Sequence, residues 1–154
     1  MLSSIDTARL LTAVRCQSVS DQVSSYCTEL MTEAGVMASG LGVLGSDKLF
    51  DENAPEVSPG GMLNKYGYLA IATSVGGNAL AVQVETGFVY WAGRSSFVDE
   101  VEVAIRQPSG DYEYRTYSPE AVEAAMTSLS KDLSGFLYML LADELTEKMN
   151  ELDS

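Results

Sequence analysis

The chain has 154 residues, 46% of them hydrophobic and 20% charged, with 22 acidic against 9 basic side chains and a net charge of −13. That composition is globular rather than disordered, and no apolar run reaches the roughly 18 residues that cross a bilayer. Histidine is absent, which excludes Ser-His-Asp and Cys-His nucleophile systems and any His-ligated zinc, while the charge disfavours nucleic acid and anionic membrane and favours basic partners.

The first elements read as helices. Ser4 caps a segment from Ile5 to about Val14, and Ser18-Val-Ser-Asp21 has capping-box spacing, with Ser20 as the competing cap. Behind it Val23, Tyr26, Cys27, Leu30, Met31 and Ala34 keep the i, i+3, i+4 rhythm of an amphipathic helix, which Gly35 ends. Cys16 and Cys27, on one continuous helix, sit about 16 Å apart, too far for a disulfide. They read as buried free thiols. The N-terminus has no basic region followed by a long apolar stretch, so no secretory signal is expected and the location is cytoplasmic.

Residues 35–65 are rich in glycine, broken by Pro55 and Pro59, and weakly periodic. They read as an irregular connection with short elements at Val43-Leu44 and Leu49-Phe50, made acidic by Asp51, Glu52 and Glu56. Connections of this length inside a compact domain are functional or mobile more often than mere links.

Three strands follow. Tyr68 to Ala72 is almost continuously apolar, the mark of a strand covered on both faces. Gly76, Gly77 and Asn78 reverse the chain into Ala79–Val84, and Glu85-Thr86-Gly87 is a hairpin loop into Phe88–Trp91. Then Glu100–Arg106 and Tyr112–Tyr117 alternate about the turn Pro108–Asp111, a second hairpin with Val101, Val103 and Ile105 on one face and Glu100, Glu102 and Arg106 on the other. A short helix over 97–104 is the competing reading.

The end is helical. Ser118 caps, Pro119 takes the first helical position, and Glu120 and Glu123 suit the positive end of the dipole. Val122, Ala125, Met126 and Leu129 form the buried stripe, and a second helix from about Asp132 to Met149 presents Leu133, Phe136, Leu137, Leu140, Leu141 and Leu145. The expected fold is α+β: a single domain over 1–154, with an antiparallel meander sheet of about four to six strands packed against N- and C-terminal helices.

Two motifs carry a family likeness. Ile71–Val84 followed by Glu85–Trp91 runs as apolar strand, Gly-Gly turn, strand, Thr-Gly hairpin and Val-Tyr-Trp strand. Ser134-Gly-Phe136-Leu137-Tyr-Met-Leu140-Leu141 adds a late helix. Together they resemble the SUKH superfamily of bacterial toxin-immunity proteins and a related yeast cell-wall regulator. The resemblance covers about 30 residues well and ten loosely, and it implies a non-enzymatic domain that occludes a toxin, often a nuclease. The early Leu-Pro motif of that family is not found before residue 60, and the hairpin at 100–117 has no place in its pattern.

Weighed residue by residue, Gly76, Gly77, Asn78 and Gly87 read as structural turns, because a phosphate loop needs a lysine and a following helix. Asp99, Glu100 and Glu102 lack the spacing of a calcium loop and read as a solvated strand face or a partner-binding patch. Tyr90, Trp91, Tyr112, Tyr114 and Tyr117 are either sheet packing or interface anchors. The acidic residues from Asp143 to Asp153 read as a solvated helix end.

The expectation is therefore a protein-binding domain with no catalytic residue, metal or cofactor. Its candidate contacts are Asp51, Glu52, Glu56, Asp99, Glu100, Glu102, Tyr112 and Tyr114, and its partner a basic toxin domain. The second expectation is a small acidic secretion or assembly chaperone, and the third an enzyme built on carboxylates. A monomer and a homodimer both fit the sequence.

Overall fold

The computed structural model describes residues 36–44 and 46–153; the expected helices before Gly35 and both cysteines lie outside them. The fold is α+β. Its centre is a six-stranded antiparallel sheet in the order β1-β2-β3-β4-β5-β8, formed by β1 (Val36–Ala38), β2 (Leu41–Val43), β3 (Tyr68–Thr73), β4 (Ala79–Gln83), β5 (Val89–Ala92) and β8 (Thr127–Ser130). A separate two-stranded sheet pairs β6 (Glu102–Arg106) with β7 (Tyr112–Thr116).

Both faces of the sheet are covered, as the continuous apolar run of β3 requires. On one face Leu69, Ile71, Leu80, Val82, Val89 and Trp91 pack with Leu133, Phe136 and Leu140 of α4 (Leu133–Leu141), Met149 of α5 (Thr146–Asp153) and Leu145 between them. On the other, Tyr68, Ala81, Tyr90 and Ala92 meet Met62 and Leu63 of α2 (Gly60–Asn64), Val103 and Ile105 of β6, and Ala121 and Val122 of α3 (Pro119–Ala124). Tyr68 and Tyr90 meet edge to face, ring centroids 5.5 Å apart. A bulge between Ala70 and Ala72 puts Ile71 and Ala72 in the same core, because the extra residue breaks the alternation of faces.

The segment 35–65 is more regular than its composition predicts. It holds β1, β2, α2 and a short helix α1 (Ser46–Glu52). Ser39 and Gly40 turn between β1 and β2 with φ of 51° and 79°, the doubly positive geometry whose twist suits a hairpin. A Cβ on Gly60 would collide with Glu52 O, and one on Gly61 with Ala54 O. The glycines are there so that α2 can lie against the end of α1, not because the chain is loose.

Asn53, buried beside that junction, stands in for a strand. Its Nδ2 donates to Ala70 O (3.0 Å) and to Leu49 O (2.9 Å), while its Oδ1 accepts the Ala70 N–H at 2.9 Å. Past Leu44, which donates its N–H to Ile71 O, β2 no longer borders β3 and Asn53 satisfies the main chain instead.

Two helical expectations are corrected. Ser118 caps α3 as predicted, its Oγ accepting the Ala121 N–H at 3.0 Å. The helix ends at Ala124, however, and Leu129 lies in β8, paired with β5. The expected helix over 132–149 is two helices, broken where Asp143 takes φ 60°.

Candidate functional site

The hairpin expected over 100–117 forms, and the competing helix over 97–104 does not; only a 3-10 turn, Arg94–Phe97, precedes it. Val103 and Ile105 anchor β6 in the core, whereas Val101, just before β6, is 68% exposed. All five residues of β7 are exposed. Tyr112 and Tyr114 lie two apart on one side of it, opposite Arg106 and Ala104. The Tyr112 hydroxyl lies 3.3 Å from Ser95 Oγ.

Asp99 shapes the entry to β6. Its Oδ1 accepts the N–H groups of Val101 (2.7 Å) and Glu102 (2.9 Å). The Glu102 N–H first, then that of Val101, holds its carboxyl below the usual carboxylate range. The Tyr117 hydroxyl donates to Asp99 O at 2.8 Å, and the Tyr117 ring stacks on Tyr66 at 6.1 Å. Burial first, then the charges of Asp99 and Tyr66, push the Tyr117 hydroxyl up to about 12. Asp99 is thus a turn residue, and the freely presented acids here are Glu100 and Glu102, both exposed.

The structure brings Asp99, Glu100, Glu102, Tyr112 and Tyr114 into one hairpin and its lead-in. The acidic loop joins them at one point, where Ser58 Oγ donates to Phe97 O at 2.6 Å, two residues from Glu56 and two from Asp99. Glu56 and Asp51 are exposed and Glu52 half-buried. Among the described residues no side-chain hydrogen bond or ion pair links Asp51 or Glu52 to the hairpin. Sequence reasoning missed the exposure of Val98, 72%, which precedes the alternating run, and of Val101, which falls in phase with Val103 and Ile105.

The expected turn glycines divide. Gly77 and Gly87 have φ of 84° and 76°, where a side chain is strained; Gly76 is not in that region. Asn78 does more than turn: its Oδ1 accepts the Arg94 N–H (2.9 Å) and its Nδ2 donates to Asp153 Oδ1 (2.7 Å). Beside it lies a cavity of about 420 Å³ reached by Trp91, Ser96, Arg106, Tyr112 and Asp153. Among the described residues no group of three or more Cys, Asp or Glu side chains is placed to hold a metal ion. No helix among them is long and apolar enough to cross a membrane.

No family model, curated protein or solved structure matches this chain.

Proposed function

We propose that this chain is a non-enzymatic protein-binding domain that captures and neutralises a basic protein, a toxin of the kind the SUKH resemblance implies. One observation carries the reading. Val98, Val101 and Tyr114 are 72%, 68% and 62% exposed, and they share one hairpin and its lead-in with the exposed acids Glu100 and Glu102. Single exposed apolar residues are ordinary, whereas two valines and two acids exposed within the five residues from Val98 to Glu102, with Tyr114 on the paired strand, suit a protein-binding surface. The acids draw a basic partner in; the valines and Tyr114 hold it.

The test compares two baits in extract of the native host at low salt: the wild-type chain and a Glu100→Lys, Glu102→Lys, Tyr114→Ala variant. Asp99 is kept, because its carboxylate holds the turn. The expected result is a stoichiometric basic protein on the wild-type bait, released by high salt and absent from the variant. Equal capture by both baits, or an unfolded secretion substrate in place of a folded basic protein, would sink the reading.

A further inference from the structure

The outer edge of β7 is a self-complementary strand edge. Tyr117 donates its N–H to Val101 O, and Gln107 donates its N–H to Asp111 O. With the register Val103↔Arg115 and Ile105↔Glu113, these bonds fix which pairs exchange hydrogen bonds across the hairpin. Arg115 and Glu113 turn their main-chain groups toward β6. By the alternation of an antiparallel ladder, Tyr112, Tyr114 and Thr116 turn theirs away from it. Among the described residues no strand pairs with that second edge, and every β7 side chain is exposed. An open row of donors and acceptors is a template for another strand.

We infer that β7 pairs antiparallel with β7 of a second copy of this chain, centred on Tyr114, joining two hairpins into a four-stranded sheet. The charges select both the occupant and the register. With Tyr114 opposite its own copy, Tyr112 faces Thr116, so all the outward main-chain groups are satisfied in six bonds. Glu113 then faces Arg115 of the other copy twice, in the closely spaced pairs that bear no hydrogen bonds. Sliding by one pair in either direction sets Glu113 against Glu113 or Arg115 against Arg115, and a parallel arrangement sets like charges side by side. Within one chain the same two residues already form an ion pair at 3.0 Å, half exposed on both sides, so the dimer links two such pairs into a network of four charges. The pairing uses the main chain of Tyr114, whereas the toxin-binding reading uses its side chain, and it places the Tyr112 and Tyr114 faces of two copies side by side.

Sedimentation velocity of the full chain over a concentration series tests it, at physiological salt, where repulsion between two chains of charge −13 is screened. A reversible monomer–dimer equilibrium is expected. Tyr114→Pro removes an N–H that makes no bond to β6, so the dimer is lost while the circular dichroism spectrum is kept. Glu113→Arg and Arg115→Glu each weaken the dimer about tenfold or more, and the two together restore it. A chain monomeric up to its solubility limit overturns the inference. So does a dimer that survives Tyr114→Pro, or one that ignores the single charge changes. None of these results bears on capture of a basic partner, which is read in a separate assay.

Discussion

Ser39 and Asp143, 104 positions apart, are joined by a 2.7 Å bond from the Ser39 N–H to Asp143 Oδ1. Beside it the Ser39 hydroxyl donates to Leu140 O at 2.7 Å and accepts the Leu145 N–H at 3.3 Å. One buried serine in the β1–β2 turn therefore closes the end of α4 and steers the chain toward α5. A helix end leaves carbonyls without partners, and here a distant hairpin supplies one.

Ser39→Ala leaves Leu140 O and the Leu145 N–H buried without that partner. The expected loss is about 2–3 kcal/mol, read from urea unfolding. Asp143→Asn keeps an acceptor and tolerates a positive φ, and it should cost less than Asp143→Ala. Equal losses from the two Asp143 variants would show that the Ser39 bond does not hold the helix break.

Asn53→Ala removes three hydrogen bonds and strands both main-chain groups of Ala70, so a loss of about 2–4 kcal/mol is expected. Hydrogen exchange locates the effect: the Ala70 amide should lose protection more than the Leu80 amide. A uniform change across β3 and β4 would mean that Asn53 acts through packing instead.

Gly61→Ala sets a Cβ against the backbone of Ala54, where no flexible side chain can yield. About 3 kcal/mol of destabilisation is expected from the collision. Gly67→Ala meets nothing within 4 Å but has φ 87°, and the strained conformation alone costs about 1 kcal/mol. Thermal melts of the two variants separate steric from conformational cost, and the reverse order would discard this assignment.

Alkaline pH should weaken the fold. The Tyr117 hydroxyl is raised to about 12 from an ordinary value of 10.0, and burial raises those of Tyr68 and Tyr90 too. Between those limits the unfolded chain has lost the Tyr117 proton and the folded chain keeps it, so stability falls as pH rises. Its contribution is whole below pH 10 and gone above 12. Tyr117→Phe should flatten that limb and, by losing the bond to Asp99 O, cost about 1 kcal/mol at neutral pH. An unchanged alkaline slope would rule out Tyr117 as its source.

Acid acts through Asp99 with the opposite sign. Its carboxyl is held below 3.8 by the N–H groups of Glu102 and Val101. The stability it adds is present above the unfolded value and lost as pH falls through the folded one. Asp99→Ala should make the 98–102 segment more accessible to protease at neutral pH and leave the acid limb shallower. Unchanged cleavage there would exclude the turn role.

By itself the sequence determined what is written locally. The apolar run of β3, the glycine turns, the alternation of β6 and β7, and Ser118 before Pro119 each state their geometry within a few residues, because strand period, positive φ and capping are short-range. The acidic and aromatic composition of the hairpin was legible for the same reason. Tertiary structure alone decided the rest. Residues 127–130 carry no strand pattern, yet they are a strand because β5 offers an unsatisfied edge. Helix periodicity runs through Asp143, yet the helix breaks there because Ser39 satisfies its end. Which edge of β7 is open depends on bonds to Val101 and Gln107, and Val101 is exposed although it falls in phase with the buried Val103 and Ile105. Each outcome was settled by hydrogen-bond partners distant in the chain or by pairing register, and a sequence pattern carries no record of either.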